Sequence, residues 1–287
     1  MQLAVFSNVI QGSGPAEVAA KTRGYGFDAV QFIPRGISIG FGFDRDDPES
    51  SFEVWARAYA DAGVQVPAIG AYLNLLHHDP DVRRENLKKF KAFMAEMGHF
   101  GATLISTETG SLSTTSDWDP DPANFKPEAL DELRRVTDEV LPVAEANNVV
   151  ILYEPYVVHV CYTPEMGAEF VRSYDSPHLK MLMDPTNWFG VDDLDPDTVT
   201  ATLRRGFAAE HGLFRLAHAK DVAPAREPGA LKPALPGPGQ GVLNYPEYIK
   251  LLRGAGYDGP LVIEHLTEAE VPDAVGFVRR QLDGAAA

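Results

Sequence analysis

The sequence predicts an α/β fold, a single (β/α)8 barrel spanning residues 1–287. Three observations lead there. Short apolar runs of strand length alternate with longer segments of helical spacing along the whole chain. Eight such pairs can be counted, and the 287 residues are close to the ~250 of a typical eightfold barrel. No Gly-x-Gly-x-x-Gly follows the first apolar run, and no Gly-x-x-x-x-Gly-Lys occurs, so the phosphate loops of open doubly wound sheets are missing.

The first strand is expected at 3–7, and its helix opens at Pro15, a favourable first-turn residue, and stops at the turn of 24–26. The second strand, 29–33, leads into a Gly-rich acidic loop at 36–47 and a helix over 51–62. The third strand is placed at 66–72, and the helix after it is marked by Leu87, Phe90, Phe93, Met94 and Met97 at three- and four-residue steps. The fourth strand, 103–107, precedes a loop rich in Ser, Asp and Pro at 110–127. A helix with Leu130, Leu133, Val136, Val140 and Leu141 on one face follows.

The fifth strand, 149–154, is followed by Thr163-Pro164-Glu165, a cap and first-turn proline. The sixth, 179–184, is followed by Asp195-Pro196-Asp197 in the same role. The seventh, 214–220, gives way to a loop rich in Pro and Gly at 223–241, and Asn244-Tyr245-Pro246-Glu247 opens the next helix. The eighth strand, 260–264, is entered through Gly256-Tyr257-Asp258-Gly259, and a last helix is expected over 268–282. No linker or low-complexity tract divides the chain, so one (β/α)8 TIM barrel is the simplest reading.

Composition narrows the partners. With 25 Lys+Arg against 41 Asp+Glu, the formal charge of −16 repels phosphate backbones and anionic lipid, so neither nucleic acid nor a membrane is an expected partner. Cys161 is the one cysteine, which excludes an internal disulfide and suits a reducing compartment. Met1-Gln2-Leu3-Ala4-Val5-Phe6 has no basic leader, and no apolar run approaches the ~20 residues of a spanning helix. A cytoplasmic protein is expected, and homo-oligomers are the general prior.

In a barrel of this kind the chemistry lies at the C-terminal ends of the strands. Four consecutive expected strands end on ligand-type residues: Glu154, Asp184, His218 and Glu264. A carboxylate ending a buried apolar run is costly unless paired or bound to a cation. Three carboxylates and one imidazole on one arc suit a single divalent metal ion, with Mn²⁺ expected first and Mg²⁺ or Co²⁺ as alternatives. Around the same mouth, Asn74, His77, Glu108, His159, Asn187 and Lys220 are candidate substrate contacts. Lys220 lies two residues past His218, on the same side by strand period. His265 is expected to point away from the barrel axis, and Asp221 to fix an imidazole or a loop. Phe6, Phe32, Tyr72, Tyr153 and Trp188 are candidates for an apolar wall or for ordinary packing.

These residues resemble the xylose-isomerase-like barrel superfamily of sugar phosphate isomerases and epimerases, which includes ketose 3-epimerases and inosose dehydratases. The resemblance runs through Tyr153-Glu154-Pro155, Asp184-Pro185-Thr186-Asn187, His218-Ala219-Lys220-Asp221 and Tyr257-Asp258-Gly259 leading to Glu264. Thr107-Glu108-Thr109-Gly110 and Pro236-Gly237-Pro238-Gly239-Gln240-Gly241 also match. It implies that Glu154, Asp184, His218 and Glu264 hold one divalent metal, with Glu154 and Glu264 also serving as acid and base. One position departs from the epimerase pattern. Those enzymes carry a substrate-binding His three residues after the metal-binding Asp, where this chain has Asn187.

The function so implied is proton transfer on a keto-sugar or related polyol ketone through a metal-stabilised enediolate. The alternative from the same intermediate is elimination, by a dehydratase acting on an inosose or a lyase cleaving a 3-keto-glycoside, with His77, His159 or Lys220 as the added acid. An apurinic-site endonuclease on the same barrel would need more ligands and a basic face, which the charge of −16 opposes. A sugar-binding barrel without turnover is the non-enzymatic alternative.

Overall fold

The structure, a computed structural model, describes residues 1–34 and 51–284. The acidic loop expected at 36–47, with Arg35 before it, lies outside the described residues. Eight parallel strands close into a barrel in sequence order, the last pairing with the first. They are β1 (Gln2–Phe6), β2 (Ala29–Phe32), β3 (Gln65–Gly70), β4 (Leu104–Glu108), β5 (Val150–Glu154), β6 (Leu179–Met183), β7 (Phe214–Ala219) and β8 (Pro260–Ile263). The surrounding helices are α1 (Pro15–Gly24), α2 (Phe52–Asp61), α3 (Pro80–Glu96), α4 (Pro127–Ala146), α5 (Pro164–Tyr174), α6 (Pro196–Glu210), α7 (Tyr245–Gly254) and α8 (Val271–Gly284).

The helix starts follow capping chemistry. Thr163, Asp195 and Asn244 each accept a backbone N–H of the first turn of α5, α6 and α7, and prolines occupy the positions where a missing N–H costs nothing. α4 continues through Pro142, although proline removes one internal hydrogen bond. One helix departs from expectation. The last helix starts at Val271, because Glu268–Glu270 form a 3-10 turn with a capping box between Thr267 and Glu270.

Strand alternation then sorts the side chains. Glu108 and Glu154 are register partners on β4 and β5, so their carboxylates rise side by side. On β5 the residue before Glu154 points the other way: the Tyr153 hydroxyl meets Thr137 of α4 at 2.9 Å. Phe32 packs against Phe52, Trp55 and Phe100, and a Cβ on Gly206 would strike the Trp188 ring at 2.2 Å. Phe32, Tyr153 and Trp188 therefore belong to the layer between barrel and helices. Only Phe6 and Tyr72 of the five aromatics come near the mouth, with Phe6 edge-on to His218 at 5.1 Å. Among the described residues no helix is long and apolar enough to cross a membrane.

Glu210, the last residue of α6, is fully buried, and neither carboxylate oxygen has a hydrogen-bond partner among the described residues. Burial raises its pKa well above the usual carboxylate range, and Asp184 and Glu165 add to the rise. The fold thus keeps the proton that the unfolded chain releases, so this residue costs stability as pH rises above the ordinary Glu value. Glu210→Met is expected to raise stability by about 1–3 kcal/mol at neutral pH. The gain should shrink toward pH ~4 as the unfolded state is protonated too. Urea unfolding at the two pH values measures it, and a variant less stable at neutral pH contradicts it.

Candidate active site

The four ligand-type residues expected at the strand ends meet at the C-terminal mouth, and all are buried. Glu154 closes β5, whereas Asp184, Lys220 and Glu264 stand one residue past β6, β7 and β8. The backbone pairing carries on past the end of β8, where the Glu264 amide donates to Ala219 O at 3.3 Å. Asp184 caps the turn that follows, accepting from the Thr186 amide at 3.2 Å and its hydroxyl at 2.7 Å.

His218 and Lys220 neutralise the carboxylates. His218 Nδ1 lies 2.9 Å from Glu264 Oε1, 3.4 Å from Asp184 Oδ2 and 4.0 Å from Glu154 Oε1. The Lys220 ammonium sits 2.6 Å from Asp184 Oδ2 and 2.9 Å from Glu264 Oε1. Burial alone would raise Asp184 and Glu264, but Lys220 and His218 outweigh it: Asp184 falls well below the carboxylate range and Glu264 to about 2. Burial works against the His218 cation as well, yet Glu264, Asp184 and Glu154 hold it up to about 10. Glu154 differs. Burial pushes it well above the usual range, and Asp184 and Glu108 reinforce that. Asn187 Nδ2 donates to Glu154 Oε1, and the buried Oε2 has no hydrogen-bond partner among the described residues.

Glu154, Asp184 and His218 each offer one donor atom, all within 4.8 Å of one another, which makes them a possible metal-binding triad. An unpartnered Glu154 Oε2 and an oxygen-rich donor set fit a divalent cation. Glu264 joins the cluster through His218 and Lys220.

Sequence reasoning missed Gln31. Its Oε1 lies 2.9 Å from His218 Nε2, and its Nε2 donates to Ser106 Oγ at 2.7 Å and Tyr72 OH at 3.1 Å. A His218 Nε2–H donated to Gln31 presents Nδ1 toward the carboxylates. The signal was a lone amide in the apolar run Ala29-Val30-Gln31-Phe32. Gln31→Leu is expected to weaken divalent-metal binding roughly 10- to 100-fold, the usual effect of losing a partner that orients a ligand. Calorimetric titration with Mn²⁺ reads it, and unchanged affinity would remove Gln31 from this role.

The other candidates divide. Lys220 and Asn187 touch the cluster directly. Glu108 faces the mouth, and loss of solvation pushes it up to about 8. Asn74 spends its amide on the loop after β4, donating to Ser111 O at 2.8 Å and accepting from Leu76 and Ser111 amides. His77 Nδ1 accepts from the Asp79 amide at 3.1 Å. His159 Nε2 pairs with Asp117 O at 2.8 Å while Nδ1 has no partner among the described residues, and burial lowers the ring to about 4. Asp221 fixes a loop, accepting from the Val222 and Leu243 amides at 2.9 Å and from Gly239 at 3.0 Å.

The expectation for His265 needs correction. β8 ends at Ile263, and His265 has φ +59°, so strand alternation no longer applies there. The ring turns to the mouth, where Nδ1 meets Leu235 O at 2.9 Å.

Two cavities adjoin at this face. An inner one of about 280 Å³ reaches Asn187, Lys220 and His265. An outer one of about 240 Å³ is lined by Asn74, His77, Asp117 and His159, and Glu108 and Trp118 line both. A larger depression of about 710 Å³ lies at the opposite end of the barrel, near Gln65, Thr103 and Arg215. Its size does not make it the active site: the buried charged cluster is at the C-terminal mouth, where barrel chemistry is found.

Known proteins agree with this architecture. A D-tagatose 3-epimerase-like protein superposes with a TM-score of 0.74 at 17% identity, covering 100% of this chain and 98% of the other. A xylose isomerase-like barrel protein from Mycobacterium smegmatis, solved with magnesium, gives 0.71 at 19% identity, covering 100% and 98%. The 3-keto-D-glucoside 4-epimerase from E. coli gives 0.70 at 15% identity, covering 97% and 99%. No curated protein matches in sequence. The model of the xylose isomerase-like TIM barrel family matches residues 19–281, and the chain belongs to that family.

Proposed function

We propose that this protein is a metal-dependent isomerase or epimerase of a keto-sugar or related polyol ketone. The observation that carries the reading is the buried cluster of Glu154, Asp184, His218 and Glu264, whose two glutamates stand in opposite electrostatic settings. Asp184, His218, Glu154 and Glu264 would hold the divalent cation, Mn²⁺ or Mg²⁺ being the expected metals. Such a cation supplies a Lewis acid for the substrate's carbonyl and neighbouring hydroxyl oxygens.

The residues then divide the proton work. Glu264, kept ionised by Lys220 and His218, takes the carbon-bound proton. Glu154, the other glutamate of the cluster, is the residue that returns a proton to the carbon skeleton. Lys220 balances the negative charge that develops on the substrate oxygens. Delivery to the original carbon gives an epimer; delivery to its neighbour gives an aldose–ketose pair.

A second reading, elimination, is favoured by Glu108. Of the acids first considered, His159 is held neutral and Lys220 is engaged by two carboxylates. Glu108, at about 8, carries a proton at neutral pH and faces the mouth, so it suits a leaving group. The test is incubation with Mn²⁺ and a panel of ketoses, inososes and 3-keto-glycosides in deuterated water. Deuterium incorporation at unchanged carbon skeleton is expected. Loss of water or an aglycone selects elimination, and the absence of any exchange or product refutes both.

A further inference from the structure

The two glutamates of the cluster are held by different chemistry. Glu264 Oε1 lies 2.9 Å from both His218 Nδ1 and the Lys220 ammonium. Glu154 Oε1 is 4.0 Å from His218 Nδ1, beyond hydrogen-bond distance, and accepts from the Asn187 carboxamide instead. The donor at Glu154 is therefore neutral. An amide N–H fixes one oxygen without adding charge to the site, so the attraction of the carboxylate for a cation is kept.

Asn187 is itself fixed from two sides. It is buried in the 3-10 turn Pro185–Trp188, which Asp184 caps. Its backbone N–H donates to Asp184 O at 3.3 Å, and its carbonyl accepts from the Val157 amide, in the loop after β5, at 2.9 Å. One short turn thus starts from Asp184 past β6 and braces Glu154 at the end of β5. The brace distinguishes the two oxygens of Glu154. Oε1 is engaged, and the buried Oε2 has no hydrogen-bond partner among the described residues. An unbraced glutamate rotates about its terminal bond and offers a cation either oxygen or both. Fixing it beforehand spares that ordering cost when the cation binds.

We infer that Asn187 is a positioning residue for Glu154: it secures Oε1 and leaves Oε2 to the cation. The inference rests on the metal reading of the cluster and adds the residue that aims one of its ligands. Asn187 also borders the inner cavity, so direct contact with a sugar is the competing role. The two roles change different quantities.

Asn187→Leu keeps the shape of the side chain and removes the donor. Calorimetric titration with Mn²⁺ alone is expected to show a roughly 10- to 100-fold higher Kd, the usual effect of losing a partner that orients a ligand, and the EPR spectrum of the bound Mn²⁺ should change with it. Asn187→His places its Nδ1–H as many bonds from the backbone as the asparagine Nδ2–H, and should bind Mn²⁺ at least about threefold more tightly than Asn187→Leu. On the panel sugar that exchanges deuterium fastest, Asn187→Leu should lower kcat about 10-fold or more while KM stays within about threefold. Thermal melts of the metal-free proteins establish folding, and Asn187→Ala, which removes the same donor, replaces a leucine variant that does not fold. Unchanged Mn²⁺ affinity and spectrum, Asn187→His no better than Asn187→Leu, or a raised KM with kcat unchanged overturns the inference. Because Mn²⁺ binding is read apart from turnover, the expected binding pattern in a protein that converts no panel sugar upholds the positioning role and refutes the proposed reaction. A wild type that binds no Mn²⁺ overturns both.

Discussion

Glu264→Gln is expected to abolish turnover and solvent deuterium exchange, with kcat reduced by about 10³-fold or more, near the upper part of what a single acid–base group contributes. The amide keeps the shape of the side chain and removes both its charge and its capacity to accept a proton. Two consequences should appear together. If Glu264 takes the carbon-bound proton as proposed, deuterium exchange measured by NMR should vanish with turnover. Metal affinity should also fall, since a carboxylate at the cluster is lost. The reciprocal variant, Glu154→Gln, separates the two glutamates. If Glu264 takes the proton and Glu154 returns it, Glu154→Gln lowers net conversion while some exchange persists. Full exchange in Glu264→Gln at saturating Mn²⁺ would transfer the base role to another residue.

Lys220→Met should have the largest effect on stability. The Lys220 side chain is 4% exposed and lies between Asp184 and Glu264. Removing one partner of a buried ion pair costs about 3–5 kcal/mol, because the charges left behind are unpaired. The pH dependence follows from the carboxylates. In the wild type Asp184 and Glu264 are depressed, so their contribution is present above the ordinary carboxylate values and is lost only in strong acid. Without the ammonium both move upward and keep protons in the fold. The deficit should therefore grow from pH ~4.5 to pH ~7.5. Denaturant melts at both pH values read this. Added Mn²⁺ should recover part of the loss, since a divalent cation bound to the folded state alone stabilises it. A variant as stable as wild type at pH ~7.5 would show that the ammonium does not offset the cluster.

The barrel was legible because its signals are local and repeated. Alternation of apolar runs with capped helices specifies β and α units, and Thr163, Asp195 and Asn244 cap where expected. The ligand-type residues were legible because a charge at the end of an apolar run conflicts with burial unless it has a purpose. Other features were not, for reasons of distance and backbone. Gln31 meets His218 from 187 positions away in sequence, and nothing in a strand's own pattern shows what it faces across the barrel. His265 was misplaced because alternation was extended one residue beyond the ladder, into a left-handed turn. Asn74 and His77 line a cavity at the mouth, and no sequence pattern shows that the Asn74 amide group and His77 Nδ1 also hold the neighbouring loop backbone.

The contacts of Gln31 have a bearing on how this barrel can vary. His218 on β7, Gln31 on β2, Ser106 on β4 and Tyr72 after β3 are joined across the lumen by hydrogen bonds. They act as a spoke, setting the aim of an imidazole from the far wall. A change at any one of them strands polar atoms on the others. Simultaneous replacement of Gln31 and Ser106 by a packed apolar pair should be better tolerated than either replacement alone.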